Sequence, residues 1–194
     1  PRNLTNVNGT LFFSATDGIA GRELWKSDGT WPGTQMVRNI RSSGDSDPQD
    51  LVAMNGHVFF TADNGENGRE LWRSDGTSNG TTMLRDIRLG SAGSGVRNLT
   101  VVGNLLYFTA NDGSNGYELW RTDGTVSGTT IVEDIRFGAE SSSPSQLTNV
   151  NGTLFFRAVD VFGLELWVSD GTIDGTHILK DIRPGVSSSN LTEL

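Results

Sequence analysis

One stretch, Gly68 to Arg88, GRELWRSDGTSNGTTMLRDIR, occurs four times in this chain with small variations. The other copies are GRELWKSDGTWPGTQMVRNIR from Gly21, GYELWRTDGTVSGTTIVEDIR from Gly116 and GLELWVSDGTIDGTHILKDIR from Gly163. Self-similarity at a fixed period means that the chain stacks copies of one supersecondary unit, none of which can bury its apolar face alone. The 194 residues are therefore counted in repeats before they are counted in domains.

Upstream of each copy lies a second recurring segment: Leu4 to Ala15, Leu51 to Ala62, Leu99 to Ala110 and Leu147 to Ala158, with a Leu-to-Ala separation of 11 each time. Each holds two β-rich runs around Asn8-Gly9, Asn55-Gly56, Gly103-Asn104 or Asn151-Gly152, residue types that accept positive φ in a two-residue hairpin. The second run carries Leu11-Phe12-Phe13, Val58-Phe59-Phe60, Leu106-Tyr107-Phe108 or Leu154-Phe155-Phe156. Consecutive apolar residues on a strand point to opposite faces, so both faces of this sheet must be covered.

A third strand follows at Glu23-Leu24-Trp25 and its copies from Glu70, Glu118 and Glu165, then a DGTxxGT turn and a fourth strand. From the Glu to the Ile that closes the fourth strand the separation is 17 in every copy, as from Glu23 to Ile40. Length varies only in the connections, where Ala-to-Glu gaps are 8, 8, 8 and 7 and Ile-to-Leu gaps are 11, 12, 12 and 9. The longer connections are rich in Gly, Ser, Asp and Pro and read as loops returning from the outer strand of one sheet to the inner strand of the next, across roughly 14 Å.

Four antiparallel strands per unit with both faces apolar predict an all-β chain, a β-propeller built of four-stranded antiparallel blades. Four blades of about 47–48 residues are expected over 4–50, 51–98, 99–146 and 147–190, forming a single unit over 1–194. A β-solenoid of small stacked sheets is the competing architecture. Residues 191–194 restart the first strand of a further blade, since Asn190-Leu191-Thr192 repeats Asn3-Leu4-Thr5 and Asn98-Leu99-Thr100. Three arrangements follow: four blades closing with overlapping termini, a segment of a longer array, or two chains sharing one larger ring. Open strand edges at Leu4 and Leu191 offer a route to homo-oligomers.

At ELWxxDGT the sequence resembles the ELWxxDGT repeat family, found as tandem arrays in large secreted or surface-exposed bacterial proteins. The resemblance covers essentially the whole chain: Glu23-Leu24-Trp25 with Asp28-Gly29-Thr30, and the three equivalent sets, match without a gap. It implies an extracellular or cell-surface setting and a scaffold or adhesive role, with other copies of the repeat, surface proteins or glycans as partners. It says nothing of the ligand.

Composition removes several other classes. A net charge of −8 provides no basic field for phosphate backbones or anionic lipid, so no nucleic-acid partner is expected. No apolar run approaches 18 residues, so no membrane insertion is expected either. The absence of Cys removes thiol catalysis, Cys-ligated zinc and disulfides together. Sequons at Asn3, Asn8, Asn79, Asn98, Asn151 and Asn190 fall mostly on repeat-equivalent turns, which have their own structural reason for Asn. The chain begins at Pro1 without Met, as a processed protein or a piece of a longer one would.

Among chemistry-bearing residues, Trp25, Trp72, Trp120 and Trp167 recur at one strand position and read as packing wedges between sheets. Trp31 is not repeated and sits in an exposed turn, so it is a contact candidate. The four Glu of ELW, Glu23, Glu70, Glu118 and Glu165, need partners among apolar neighbours. The Arg after each fourth strand, Arg41, Arg88, Arg136 and Arg183, is the expected one. Asp28, Asp75, Asp123 and Asp170 of DGTxxGT read as turn chemistry.

The loops between second and third strands hold Asp17, then Asp63, Asn64, Glu66 and Asn67, then Asn111, Asp112 and Asn115, then Asp160; the crossovers add Asp45, Asp47 and Asp50. A meander puts all of these on one rim, where loops change without disturbing blades, and that rim, with Trp31, is the expected ligand-binding surface. Asp63 and Glu66 read as solvated loop residues or, alternatively, as calcium ligands. No other cofactor is expected. His57 and His177 are single occurrences without a metal or catalytic motif, so the chain reads as non-enzymatic, a binding or structural module. The alternative is a lectin-like propeller or a propeller-fold glycan-active enzyme, in which rim Asp residues would meet as paired carboxylates.

Overall fold

The structure, a computed structural model, describes residues 1–182, so that Arg183 and the strand restart at 190–194 lie outside the described residues. The described chain is all strand and loop. Blade 1 holds β1 (Arg2–Val7), β2 (Thr10–Thr16), β3 (Arg22–Ser27) and β4 (Gln35–Arg38). Blade 2 holds β5 (Gln49–Met54), β6 (His57–Asp63), β7 (Arg69–Ser74) and β8 (Thr82–Arg85). Blade 3 holds β9 (Arg97–Val102), β10 (Leu105–Asn111), β11 (Tyr117–Thr122) and β12 (Thr130–Glu133). Blade 4 holds β13 (Ser145–Val150), β14 (Thr153–Asp160), β15 (Gly163–Ser169) and β16 (His177–Lys180). Each blade is an antiparallel meander paired in sequence order, as the repeat predicts.

Local chemistry sets the turns. Asn8 and Gly9 have φ of 51° and 88°, Asn55 and Gly56 50° and 77°, and Asn151 and Gly152 51° and 86°. Two successive left-handed residues match the right-handed twist of the flanking strands, and Asn followed by Gly tolerates them at least cost. In DGTxxGT, Asp75 Oδ1 accepts from Thr77 N at 2.8 Å and Thr77 Oγ1 at 2.7 Å, while Thr81 Oγ1 donates to Thr77 O at 2.7 Å. The other three copies repeat this network.

A feature not legible in the sequence also recurs. The first strand of every blade carries a β-bulge, between Arg2 and Thr5, Gln49 and Val52, Arg97 and Thr100, and Ser145 and Thr148. A left-handed residue occupies each bulge: Asn3, Asp50, Asn98 and Gln146, with φ between 52° and 59°. Asp50, read from sequence as crossover, thus lies within β5. The bulge leaves side chains free to bond the next blade, Asn3 Nδ2 to Pro48 O at 3.0 Å and Thr5 Oγ1 to Leu51 O at 3.0 Å. Asn98 and Thr100 make the equivalent bonds to Pro144 O and Leu147 O, both at 3.1 Å.

The chain divides into two compact units, Pro1–Gly95 and Val96–Leu194, of two blades each, where the sequence reading counts one unit of four. In the first unit, Val7, Phe12, Leu24, Val37 and Ile40 of blade 1 pack with Val58, Phe60, Ala62 and Trp72 of blade 2. In the second, Val102, Tyr107, Leu119 and Val132 of blade 3 pack with Leu154, Phe156, Ala158 and Trp167 of blade 4. Trp72 and Trp167 therefore lie between sheets, whereas Trp25, read from sequence as an equivalent wedge, is only half-buried. Trp120 stacks on Phe108 of its own sheet with centroids 6.4 Å apart.

Candidate functional site

In each blade the end that holds the second-to-third loop and the crossover is organised by the ELW glutamate. All four are fully buried. Their strand position aims the carboxylate at the point where the fourth strand ends and the crossover begins. Glu23 accepts from Ile40 N at 2.9 Å, Arg41 N at 3.3 Å, Ser46 N at 3.3 Å and Ser46 Oγ at 2.6 Å. Glu70 accepts from Ile87 N and Arg88 N, both at 3.4 Å, and from Ser94 Oγ at 2.5 Å. Glu118 takes Ile135 N at 3.2 Å, Ser142 N at 2.7 Å and Ser142 Oγ. Glu165 takes Ile182 N at 3.3 Å.

In the first three blades the expected Glu to Arg ion pair is thus replaced by backbone N–H groups and a crossover serine, while Arg183, the expected partner of Glu165, lies outside the described residues. Of the arginines, Arg41 and Arg88 give Glu their backbone N–H. The Arg41 guanidinium instead meets Asp63 Oδ2 at 2.6 Å, and Arg136 Nε meets Glu140 Oε2 at 2.5 Å. The physical reason is desolvation: main-chain donors at the chain reversal need partners anyway, whereas burying a guanidinium would add a second ionic penalty.

Burial pushes the carboxyls of Glu70 and Glu118 up to about 7 and raises that of Glu23, against the opposing pull of the serine and backbone donors. Asp86 and Asp134 add like-charge repulsion at Glu70 and Glu118. A folded value above the unfolded 4.5 means that the native state holds the proton more tightly. The resulting stability is full below pH 4.5 and is lost as pH rises through about 7. We therefore expect a lower urea midpoint at pH 8 than at pH 5, with the difference shrinking in the Glu70→Gln/Glu118→Gln double variant. Equal midpoints, or a higher one at pH 8, would contradict this.

The rim candidates mostly close their own loops. Asp17 Oδ1 accepts from Ile19 N and Ala20 N, both at 2.8 Å, which holds its carboxyl below the usual range. Asn64 Oδ1 does the same for Glu66 N and Asn67 N, and Asp112 Oδ1 for Ser114 N and Asn115 N. Asp160 Oδ1 accepts from Phe162 N at 2.7 Å. Asn67 Nδ2 reaches Asp86 Oδ2 at 2.7 Å. Between crossover and loops, Asp45 Oδ1 takes Arg22 N at 2.7 Å and Asp47 lies 3.4 Å from Arg69 NH2.

Asp63 and Glu66 do not form a shared ligand set. Both Asp63 oxygens are occupied, by Arg41 and by Gly65 N at 2.7 Å, and Glu66 is exposed. Among the described residues no group of three or more His, Asp and Glu is placed to hold a metal ion.

Trp31 does not belong to this rim. It lies in the turn between β3 and β4, at the opposite end of the strands from Asp17, and is 93% exposed. With Trp25 and Thr34 it lines a cleft of about 340 Å³ on blade 1. What sequence reasoning missed is a set of exposed apolar loop tips: Ile19 at 93%, Phe137 at 92% and Leu89 at 85%. The signal was present, since Ile19 stands where Glu66 and Ser114 stand in the next repeats, and Leu89 and Phe137 stand where blade 1 has Ser42.

No family model matches the chain, and no curated protein matches it. Solved structures do resemble it. The β-propeller domain of the Trilobed protease from Pyrococcus furiosus, described as having an open velcro topology, superposes with a TM-score of 0.58 at 12% identity, covering 93% of this chain and 55% of that one. Puromycin hydrolase gives 0.56 at 16% identity, covering 92% and 28%, and a prolyl endopeptidase 0.57 at 9%, covering 88% and 24%. The chain thus spans about a quarter of the two hydrolases' length. At these identities the likeness is one of fold: the four meanders are β-propeller blades.

Proposed function

We propose that this chain is a non-enzymatic binding or structural module of the ELWxxDGT repeat kind, working outside a bacterial cell or on its surface in adhesion or surface assembly. The observation that carries the reading is the division of labour between positions. The repeated polar residues, Glu and Asp alike, are occupied in holding crossovers and turns. Large apolar side chains that the repeats do not share stand in solvent at loop tips, and exposed aromatic and aliphatic groups of this kind are contact points for partners.

A glycan ligand is the second reading, favoured by the Trp25 and Trp31 cleft, since indole faces stack on sugar rings. A glycan array together with a panel of glycoside and peptide hydrolase substrates separates the readings. Turnover of any substrate that a rim carboxylate variant abolishes would overturn the non-enzymatic reading. Trp31→Ala should change stability by no more than about 0.5 kcal/mol in urea melts, because the indole is exposed. If glycan binding is detected, that variant should remove it.

A further inference from the structure

Inside each unit the seam between its two blades leaves a pocket at the DGT end, built from repeat-equivalent positions. In the second unit, Arg121 of β11, Ile131 and Val132 of β12, and Gly171, Ile173 and Asp174 of the turn between β15 and β16 line a pocket of about 430 Å³. In the first, Lys26, Met36, Val37, Gly76 and Ser78 line one of about 280 Å³. The repeat thus supplies a cation, an aliphatic wall and a glycine turn to both.

The two cations are committed differently. Lys26 Nζ donates to Gly76 O at 2.7 Å, so the first pocket's cation closes the seam. The half-buried Arg121 reaches the equivalent glycine, with NH1 3.1 Å from where a Cβ on Gly171 would stand, yet its guanidinium forms no hydrogen bond or ion pair with a described residue. Asp123 and Asp170 feel its charge, but both are held below the usual carboxylate range chiefly by Thr125 and Thr172, whose hydroxyl and N–H they accept. Asp174, where the other repeats have Pro32, Asn79 and Ser127, is exposed and has no ion pair with a described residue. The rest of the wall is aliphatic: Val132 is buried, Ile131 is half-buried and Ile173 is 67% exposed.

We propose that the pocket at Arg121 binds a free α-amino acid with a branched aliphatic side chain. Arg121 takes the α-carboxylate, Asp174 takes the α-ammonium, and Ile131, Val132 and Ile173 take the side chain. A part-buried guanidinium without an acceptor favours a carboxylate, whose two oxygens match its fork of donors. An unpaired carboxylate lining the same pocket favours a cation. A small zwitterion carries both charges on one carbon and has no net charge, so the chain's own charge of −8 does not repel it. A peptide holds its two charges at opposite ends and would leave one of these side chains without a partner. The volume lies in the range of small-molecule sites, and the aliphatic wall selects the side chain.

Isothermal titration calorimetry with L-leucine and methyl NMR spectra of isoleucine-labelled protein test this. The expected result is saturable binding, with shifts at the Ile131 and Ile173 methyl groups and none at Ile19, which lies in the loop between β2 and β3 at the other end of the strands. Arg121→Met keeps the aliphatic stem, and leucinamide lacks the carboxylate. Each should raise the dissociation constant about tenfold or more, the variant with an unchanged circular dichroism spectrum. Asp174→Asn, or N-acetyl-leucine in place of leucine, should raise it about threefold or more. Lys26→Met should leave binding unchanged, because that cation belongs to the other pocket. No binding at about 10 mM leucine, shifts confined to residues outside the pocket, or wild-type affinity in Arg121→Met would each overturn the proposal. Equal affinity for N-acetyl-leucine, which has the chemistry of a peptide C-terminus, would overturn it as well. No surface partner or glycan enters this test, so failure here leaves the binding-module reading to its own.

Discussion

Replacing Glu70 by Ala should cost about 3–5 kcal/mol of unfolding free energy, a large share of the total stability of an ordinary domain. The carboxylate collects Ser94 Oγ, Ile87 N and Arg88 N at a fully buried point. Its removal leaves those donors without an acceptor, at about 1–3 kcal/mol for each that water cannot reach, and opens a cavity as well. The loss should be larger at pH 5 than at pH 8, because the contribution of Glu70 is present below its unfolded value and declines as pH rises through about 7. Glu70→Gln keeps the volume and one acceptor and should lose less. Urea melts at the two pH values measure this, with the exposed Glu66→Ala as a control expected within about 0.5 kcal/mol of wild type. A loss below about 1 kcal/mol in Glu70→Ala would mean that the glutamate does not hold the crossover.

The second large effect is expected at the glycine that opens the repeat. Gly68 has φ of 68°, and a Cβ there would lie 2.5 Å from Gly93 N and 2.7 Å from Ser91 O. Gly68→Ala therefore combines left-handed strain with a collision against the crossover backbone, which cannot rotate away as a side chain could. We expect a loss of about 2–4 kcal/mol. Gly90 separates the two causes: its φ is 89°, but nothing lies within 4 Å of a Cβ built there. Gly90→Ala should lose only the strain, about 1 kcal/mol. Similar losses in both variants would remove the collision from the explanation. Gly116, whose Cβ would run into Glu140 O, should behave like Gly68.

Both effects show how far the repeat could be read before its structure was known. The constant 17-residue spacing from Glu to Ile marks a rigid hairpin, and the structure gives it a cause: in all four blades the Ile N–H donates to the Glu carboxylate. The identity of the other partners was not legible. Arg follows Ile in every copy, and from sequence a guanidinium is the obvious mate for a carboxylate. Only the path of the crossover, which turns Ser46, Ser94 and Ser142 inward, decides that a hydroxyl and main-chain donors arrive first. The bulges escaped notice for a related reason. Asn3, Asp50 and Asn98 are residue types that tolerate the left-handed region, but Gln146 is not, and what the four share is the register shift in the first strand of each sheet.

The candidate site was legible in its chemistry and less so in its geometry. Asp17, Asn64, Asp112 and Asp160 lie at the ends of the strands where the loops were expected, but their oxygens are directed inward at loop N–H groups. Asp63 is committed to Arg41, a residue of the preceding blade. Trp31 was correctly read as exposed, but it stands at the other end of the strands.

By itself the sequence determined the unit: strand number, turn types, blade period and the need to cover both faces of every sheet. These are local matters, set by side-chain alternation and backbone preference within one repeat. Tertiary structure alone decided which face of a blade meets which face of its neighbour, which buried donors a glutamate collects, and which apolar groups remain in solvent. Residues at equivalent positions, such as Val37 at 7% exposure and Leu179 at 50%, have nearly the same chemistry. They differ because burial depends on what packs alongside, and no single repeat encodes that.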